Sequence, residues 1–446
     1  MERTTGGGRH VAFRPLDLAS GEHEGTAATA GGLRFVVSSA RREYADPHAG
    51  GTDRRPYREA TWTTTAHKPG FAFHELVASW HAHTPPGCWL EVAARVRGAA
   101  DTPAAGTWST WLVLARWAET DEDLRPSSVP GQDDGIADVE TDILRCTHGA
   151  DAWRLRITLL RPEDAERGPR VTFAGVMVSA DTRPPAHANG SGPDGSGSDG
   201  SGGSGGSGPD VSGSGGPGSG GPGPSGFRPD YVFSGTSRPA GNAPALTLPV
   251  PALSQRVHAG HHPEWDGGGG GWCSPTSTTM LLAYWGVAPD PATIAWVDPA
   301  YPDPAVYHAV RHCFDYAYQG AGNWSFNAAY AARFGLNAFV TRLRDLGEVE
   351  RFIRAGIPLA ASLRVDPQRL AGAEYTSAGH LVVVTGFTGD GDVVVNDPGA
   401  VDPDTVRRVY RRAEFEAAWR GGSGGIVYVV HPPSVPLPPR PAEANW

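Results

Sequence analysis

The run from about Thr182 to Ser225 is almost entirely Gly, Ser, Pro and Asp, as in Asp199-Gly200-Ser201-Gly202-Gly203-Ser204-Gly205-Gly206. Such a segment has too little apolar surface to offset the entropy of ordering it, so a single hydrophobic core is not expected to run through it. The chain is therefore expected to fold as two units joined by a tether over 182–226. As a Gly-rich coil the tether would hold its ends roughly 35 to 40 Å apart, enough to let the units move independently.

Ahead of the tether, short β-type runs alternate with turn residues: Leu33 to Val37, Phe71 to Phe73, Trp89 to Val96, Trp111 to Leu114, Trp153 to Leu159 and Val171 to Val178. Leu155, Ile157 and Leu159 alternate with Arg154, Arg156 and Thr158, the period of a strand with one buried face. Many short strands with no competing helix predict an all-β sandwich or jelly-roll-like domain over 33–181, with residues 1–32 weakly ordered or disordered. Beyond the tether the rhythm changes. Pro275 to Trp285, Ala305 to Tyr316, Phe326 to Phe334 and Leu346 to Ala355 read as helices. Ala338 to Leu343, Leu359 to Arg364, His380 to Phe387 and Val393 to Asn396 read as strands, the last two joined by a turn at Gly389-Asp390-Gly391. Helices first and antiparallel strands later predict an α+β domain over 227–432, followed by a Pro-rich tail over 433–446.

The most informative segment of that second unit is Gly271-Trp272-Cys273-Ser274-Pro275, which leads into a helix that Gly286 would end. Pro275 suits a first helical turn, where its missing N–H is not needed. The positive end of the helix dipole then faces Cys273, a setting in which cysteine serves as a nucleophile when paired with histidine. The run Gly267 to Gly271 offers a bare backbone past which a substrate chain could approach the sulfur. A base is supplied by His380, the polar residue opening the apolar strand Leu381-Val382-Val383-Val384. The ring needs an orienting group, and Asp397, in Asn396-Asp397-Pro398 at the end of the next strand, is the candidate, with Asn396 as the fallback if the register differs by one. Gln255, upstream, could donate its amide to a developing oxyanion beside the Cys273 N–H.

In this order the motifs resemble the bacteriocin-leader (double-glycine) peptidases and their stand-alone relatives among the papain-like cysteine peptidases. The resemblance runs from about Leu246 to Tyr428 and includes Gly322-Asn323-Trp324 and Ala355-Gly356-Ile357-Pro358. It implies a papain-like fold, with Cys273, His380 and Asp397 as the triad and Gln255 at the oxyanion hole. One departure is Ser274, where the family often has glycine. No Walker motif accompanies the domain, so bacteriocin maturation is not implied. The expected activity is hydrolysis of peptide amide bonds by a cysteine peptidase. A cell-wall amidase or an acyl transferase could use the same residues, and a carbohydrate- or protein-binding scaffold would need none of their chemistry.

A formal net charge of -10 without a basic block offers nothing for nucleic acid or an anionic membrane, and no apolar run approaches the length of a membrane span. The expected partner is a peptide or protein substrate. Among the tryptophans of the first unit, Trp80, Trp89, Trp108, Trp111, Trp117 and Trp153, a sugar-stacking platform for a cell-wall ligand competes with core packing, and packing is the better account. His258, His261, His262, Glu264 and Asp266 are read as a solvated loop rather than a metal site, and no cofactor is expected. Cys88 and Cys146 are read as ordinary thiols rather than a bridge, and Cys313 as a core residue. The first residues, Met1-Glu2-Arg3-Thr4-Thr5-Gly6, carry no secretory signal. As written the protein is expected in the cytoplasm, or secreted and cell-wall associated if translation starts upstream.

Overall fold

The computed structural model describes residues 10–50, 53–180, 235–239, 245–400 and 402–446. The proposed tether at 182–226 lies outside them.

The first unit is built of strands: β1 (Val11–Pro15), β2 (Glu22–Glu24), β3 (Thr26–Thr29), β4 (Gly32–Phe35), β5 (Ala40–Tyr44), β6 (Arg55–Thr63), β7 (Phe73–His83), β8 (Trp89–Gly98), β9 (Leu112–Trp117), β10 (Ala137–Glu140), β11 (Ile143–Pro162) and β12 (Arg170–Ser179). Hydrogen bonds link all of them into one twelve-stranded antiparallel network. The 20-residue β11 makes this possible. Its first residues pair with β7 and β10, the register breaks between Arg145 and Ala150, and the remainder pairs with β8 and β6. The sheet thereby turns back on itself and nearly closes around Trp62, Leu76, Trp80, Val92, Leu155 and Val176. Residues 10–32, expected to be weakly ordered, contribute β1 to β3. Val11 and Phe13 alternate inward along β1, which pairs with β12, a pattern too short to recognise without its partner strand.

The second unit comprises β13 (Leu246–Thr247), α1 (Cys273–Tyr284), α2 (Pro304–Cys313), α3 (Trp324–Ala332), β14 (Asn337–Arg342), α4 (Leu346–Arg354), β15 (Leu359–Val365), β16 (Ser377–Phe387), β17 (Val393–Asn396), β18 (Arg407–Tyr410), α5 (Arg412–Ser423) and β19 (Ile426–His431). Its sheet is antiparallel in the order β14-β19-β15-β16-β17-β18, with β13 on β16. α1 is buried along its first ten residues, because it packs on β15 and β16 from one side and on α2 and α3 from the other. That enclosure explains why its sequence has no polar face.

The two units do not stand apart as the tether had suggested. Val11, Phe13, Val77, Ile143 and Met177 share a core cluster with residues of β14, β15 and β19. Ser79 Oγ accepts the Val340 N–H at 3.0 Å, and Ser325 Oγ donates to the Ala78 carbonyl at 2.7 Å. Asp121 takes hydrogen bonds from Arg311 and Tyr316 at 2.9 and 2.8 Å. Linker composition reports only on the linker; it carries no information about the faces being joined. The tail over 433–446 is also engaged, since Trp446 is buried against Phe352 and Asn445 donates to the Arg342 carbonyl at 2.8 Å.

Candidate active site

Cys273 is the first residue of α1 and is 7% exposed. Trp272, just before it, is anchored through Nε1 to the Trp265 carbonyl at 2.7 Å, and its own carbonyl takes the Thr276 N–H at 3.0 Å. One turn on, Ser277 Oγ donates to the carbonyl of Leu381 at 3.2 Å, which pins the helix beside His380. Ser274 is buried and shares a hydrogen bond of 2.8 Å with the Tyr428 hydroxyl, so the serine has a partner of its own.

His380 lies near the start of β16, and Asp397 follows β17. Because Val383 pairs with Asn396, both fall at the same end of the sheet. His380 Nε2 is 2.8 Å from Asp397 Oδ1. The same oxygen accepts the Gly399 N–H at 2.9 Å, and Oδ2 accepts from the Tyr410 hydroxyl at 3.1 Å. Asp397 is thus a turn residue and a partner of the ring at once. Asn396 faces elsewhere, donating to the carbonyls of Val250 and Pro251 at 3.1 Å each, which tethers the segment leading to Gln255.

Both groups are buried, and their charges correct for it. Burial acts to lower the His380 pKa, but the Asp397 charge and then Cys273, by charge and hydrogen bond, raise it to about 9. Burial acts to raise Asp397, but His380, Tyr375 and the Gly399 N–H bring it down to about 2. With Nε2 committed to Asp397, Nδ1 is the ring nitrogen left for another partner.

Sequence reasoning missed Tyr375. Its hydroxyl is 2.6 Å from His380 Nε2 and donates to Asp397 Oδ1 at 2.7 Å. Burial, followed by the Asp397 charge, holds its phenol well above the usual range. Gly399 makes room for it, because a Cβ there would sit 2.5 Å from the ring. Nothing in the type or spacing of Tyr375 marks it: it is an aromatic in a polar loop, brought to the ring only by the turn at Gly399.

Gln255 Nε2 lies 2.7 Å from the Gly270 carbonyl. An atom facing a carbonyl must be the amide nitrogen, which fixes the orientation of the side chain. One N–H is used there and the second is left for another acceptor. The Gln255 backbone N–H donates to the Pro398 carbonyl at 2.9 Å, so Gln255 is joined to both the Cys273 loop and the Asp397 turn.

The histidine segment is not a solvated loop. His258 is fully buried and its Nδ1 is 3.0 Å from the Tyr307 hydroxyl, which His261 Nδ1 also meets at 2.6 Å. The segment folds onto the cluster of Trp265, Trp272, Val306 and Tyr307, which its polar sequence hid. All four cysteines are free thiols. Burial pushes Cys88 up to about 12 and raises Cys146 and Cys313 further from their ordinary range. Of the tryptophans, Trp80, Trp89, Trp117 and Trp153 are core residues. Trp108 and Trp111 are half-buried against Arg95, whose guanidinium lies 5.0 and 4.7 Å from their rings.

A cysteine at a helix start, facing a histidine held by a carboxylate on a neighbouring antiparallel sheet, is the arrangement of cysteine-type hydrolases. Known proteins place the chain more narrowly. Residues 247–425 match the Peptidase C39 like family, and residues 10–179 match the Peptidase C39 N-terminal domain. Together the two matches support a C39 peptidase-like family for the chain. Among solved structures it is similar to a Bacillus anthracis protein proposed to be a C39-like peptidase, at 18% identity and a TM-score of 0.28, over 42% of this chain and 98% of that one. No curated protein matches it.

Proposed function

We propose that the second unit is a papain-like cysteine peptidase that hydrolyses peptide amide bonds through Cys273, His380 and Asp397, with Gln255 at the oxyanion hole. The observation that carries this reading is the His380 ring, held at Nε2 by Asp397 at 2.8 Å on the strand to which Ser277 of the Cys273 helix is bonded at 3.2 Å. His380 takes the thiol proton, and the sulfur attacks the substrate carbonyl carbon. The carbonyl electrons move to oxygen, which the Cys273 N–H and the second N–H of Gln255 Nε2 receive. Collapse of this adduct breaks the C–N bond as the imidazolium protonates the leaving amine, leaving a thioester on Cys273. Neutral His380 then draws a proton from water, whose oxygen displaces the sulfur to release the acid. Asp397 orients the ring and stabilises its charge throughout.

The test is hydrolysis of a peptide library by the whole chain and by its Cys273→Ala variant, with products identified by mass. Loss of cleavage in the folded variant is the expected result. Cleavage that persists at the original rate rules the assignment out.

A further inference from the structure

β14 ends the sheet of the second unit, with β19 on one side and no strand of that sheet on the other. Alternate peptide groups of such a strand point away from its neighbour and need partners from elsewhere. They are met one after another. Val340 donates its N–H to Ser79 Oγ at 3.0 Å, and Ala338 presents its N–H and its carbonyl to His81 Nε2 at 3.1 and 2.7 Å. At the next alternate position the Arg342 carbonyl accepts from Asn445 Nδ2 at 2.8 Å. Ser79 and His81 are two apart on β7, as Val340 and Ala338 are on β14 in the opposite direction. β7 therefore lies along the edge as an antiparallel strand would, but through side chains, its own ladder there running to β12.

The match extends to charge and to apolar surface. Arg342, fully buried at the end of β14, pairs with Glu75 of β7 and donates to Ser179 Oγ of β12. A charge so enclosed is tolerated only with its partner in place. Phe13 of β1 stacks on Phe339 with ring centres 4.4 Å apart. The same sheet reaches the Cys273 helix through α3. Ser325 Oγ donates to the Ala78 carbonyl at 2.7 Å, Asp142 accepts the Trp324 N–H, and Phe326 meets Trp80 edge-on with ring centres 6.2 Å apart. Thr278 Oγ1 in turn donates to Asn327 Oδ1 at 3.1 Å, which ties α3 to the helix that Cys273 opens.

We infer that the outer edge of β14 and the start of α3 form a docking surface whose fitted partner is the N-terminal sheet, held by these contacts rather than by the tether. The chain cut within 182–226 should then stay together, and Cys273 should lose reactivity once the halves part. Only the second outcome rests on Cys273 being the nucleophile. The experiment places a protease site in that run of the full chain, cuts it, holds the N-terminal half on a resin by a tag and follows release of the other half. The native halves should stay bound through washing. Glu75→Gln, which removes the charge facing Arg342, should speed release about thirtyfold or more, and Ser79→Ala, which takes the acceptor from the Val340 N–H, about fivefold or more. Halves that part in the first wash, or variants that release no faster than the native pair, overturn the docking surface. Brief iodoacetamide treatment at about pH 6.5, where an ordinary thiol reacts slowly, followed by peptide mapping, compares Cys273 in the bound and released halves. Labelling should fall about tenfold or more on release. A released half that labels at the bound rate overturns the dependence of Cys273 on the N-terminal sheet. A Cys273 that fails to label in the uncut chain removes the nucleophile instead and leaves the docking surface standing on the release rates.

Discussion

Asp142 accepts the backbone N–H of Trp324 at 2.5 Å, so a carboxylate of the N-terminal sheet caps the first turn of α3 in the other domain. Asn323 supplies the local cap, accepting the Phe326 N–H at 3.0 Å, and Asp142 satisfies a donor that Asn323 leaves over. Because α3 packs on α1, this contact belongs to the support of Cys273. Asp142→Ala should cost about 1 to 2 kcal/mol, read as a lower urea midpoint. Burial pushes the Asp142 carboxyl up to about 7, so a neutral acceptor is well suited to the site and Asp142→Asn should cost less. An alanine variant that melts with the native chain would make the cap idle.

The proposed mechanism makes the His380–Asp397 pair the group that sets the pH range of the site. His380 is raised from 6.5 to about 9, so the stability it contributes is complete below 6.5 and is lost as pH rises through about 9. Asp397 is depressed from 3.8 to about 2, so its contribution is present above 3.8 and is lost as pH falls through about 2. In the proposed mechanism acylation needs the imidazolium, and the alkaline limb of kcat/KM should therefore fall near pH 9. Asp397→Asn removes the main influence raising His380 and should move that limb down by about one pH unit or more. A limb that stays in place in the variant would separate Asp397 from the titration of the ring.

In the proposed mechanism Tyr375 is a positioning residue, since its hydroxyl touches His380 and Asp397. Tyr375→Phe keeps the ring in the space above Gly399 and removes two hydrogen bonds. The expected loss in kcat is about tenfold, from bonds worth about 1 kcal/mol each, with KM little changed and the alkaline limb displaced. A purely structural tyrosine would lower stability and leave the pH profile where it was.

The legibility of this chain depends on how local each signal is. Cys273, His380 and Asp397 each sit at an element boundary, where a polar residue against an apolar run stands out, and the expected α1, β16 and β17 lie within a few residues of the observed ones. β18, α5 and β19 were not marked out, since α5 interleaves glycine and arginine with its buried Phe415 and Trp419. Docking of the two units could not be foreseen. Its contacts join residues such as Ser79 and Val340 or Asp142 and Trp324, far apart in sequence and ordinary in type. Tyr375 and the burial of His258 escaped for the same reason: what identifies them is a partner and not a pattern.

The proposed mechanism gives Gln255 two duties that kinetics can separate. Its amide holds the Gly270 carbonyl at 2.7 Å, so its loss could loosen the loop before Cys273, and its second N–H is the expected donor to the oxyanion. If the oxyanion role dominates, Gln255→Ala should lower kcat by about 100- to 1000-fold with little change in KM. Alkylation by iodoacetamide forms no oxyanion, so labelling of Cys273 should fall far less than kcat does. If holding the loop is the main duty, the two rates should fall together. Gln255→Glu sharpens the distinction, because a carboxylate has no N–H for the oxyanion and is repelled by the Gly270 carbonyl. It should be at least as slow as the alanine variant in hydrolysis, and a glutamate variant that hydrolyses peptides at the native rate would remove Gln255 from the oxyanion hole.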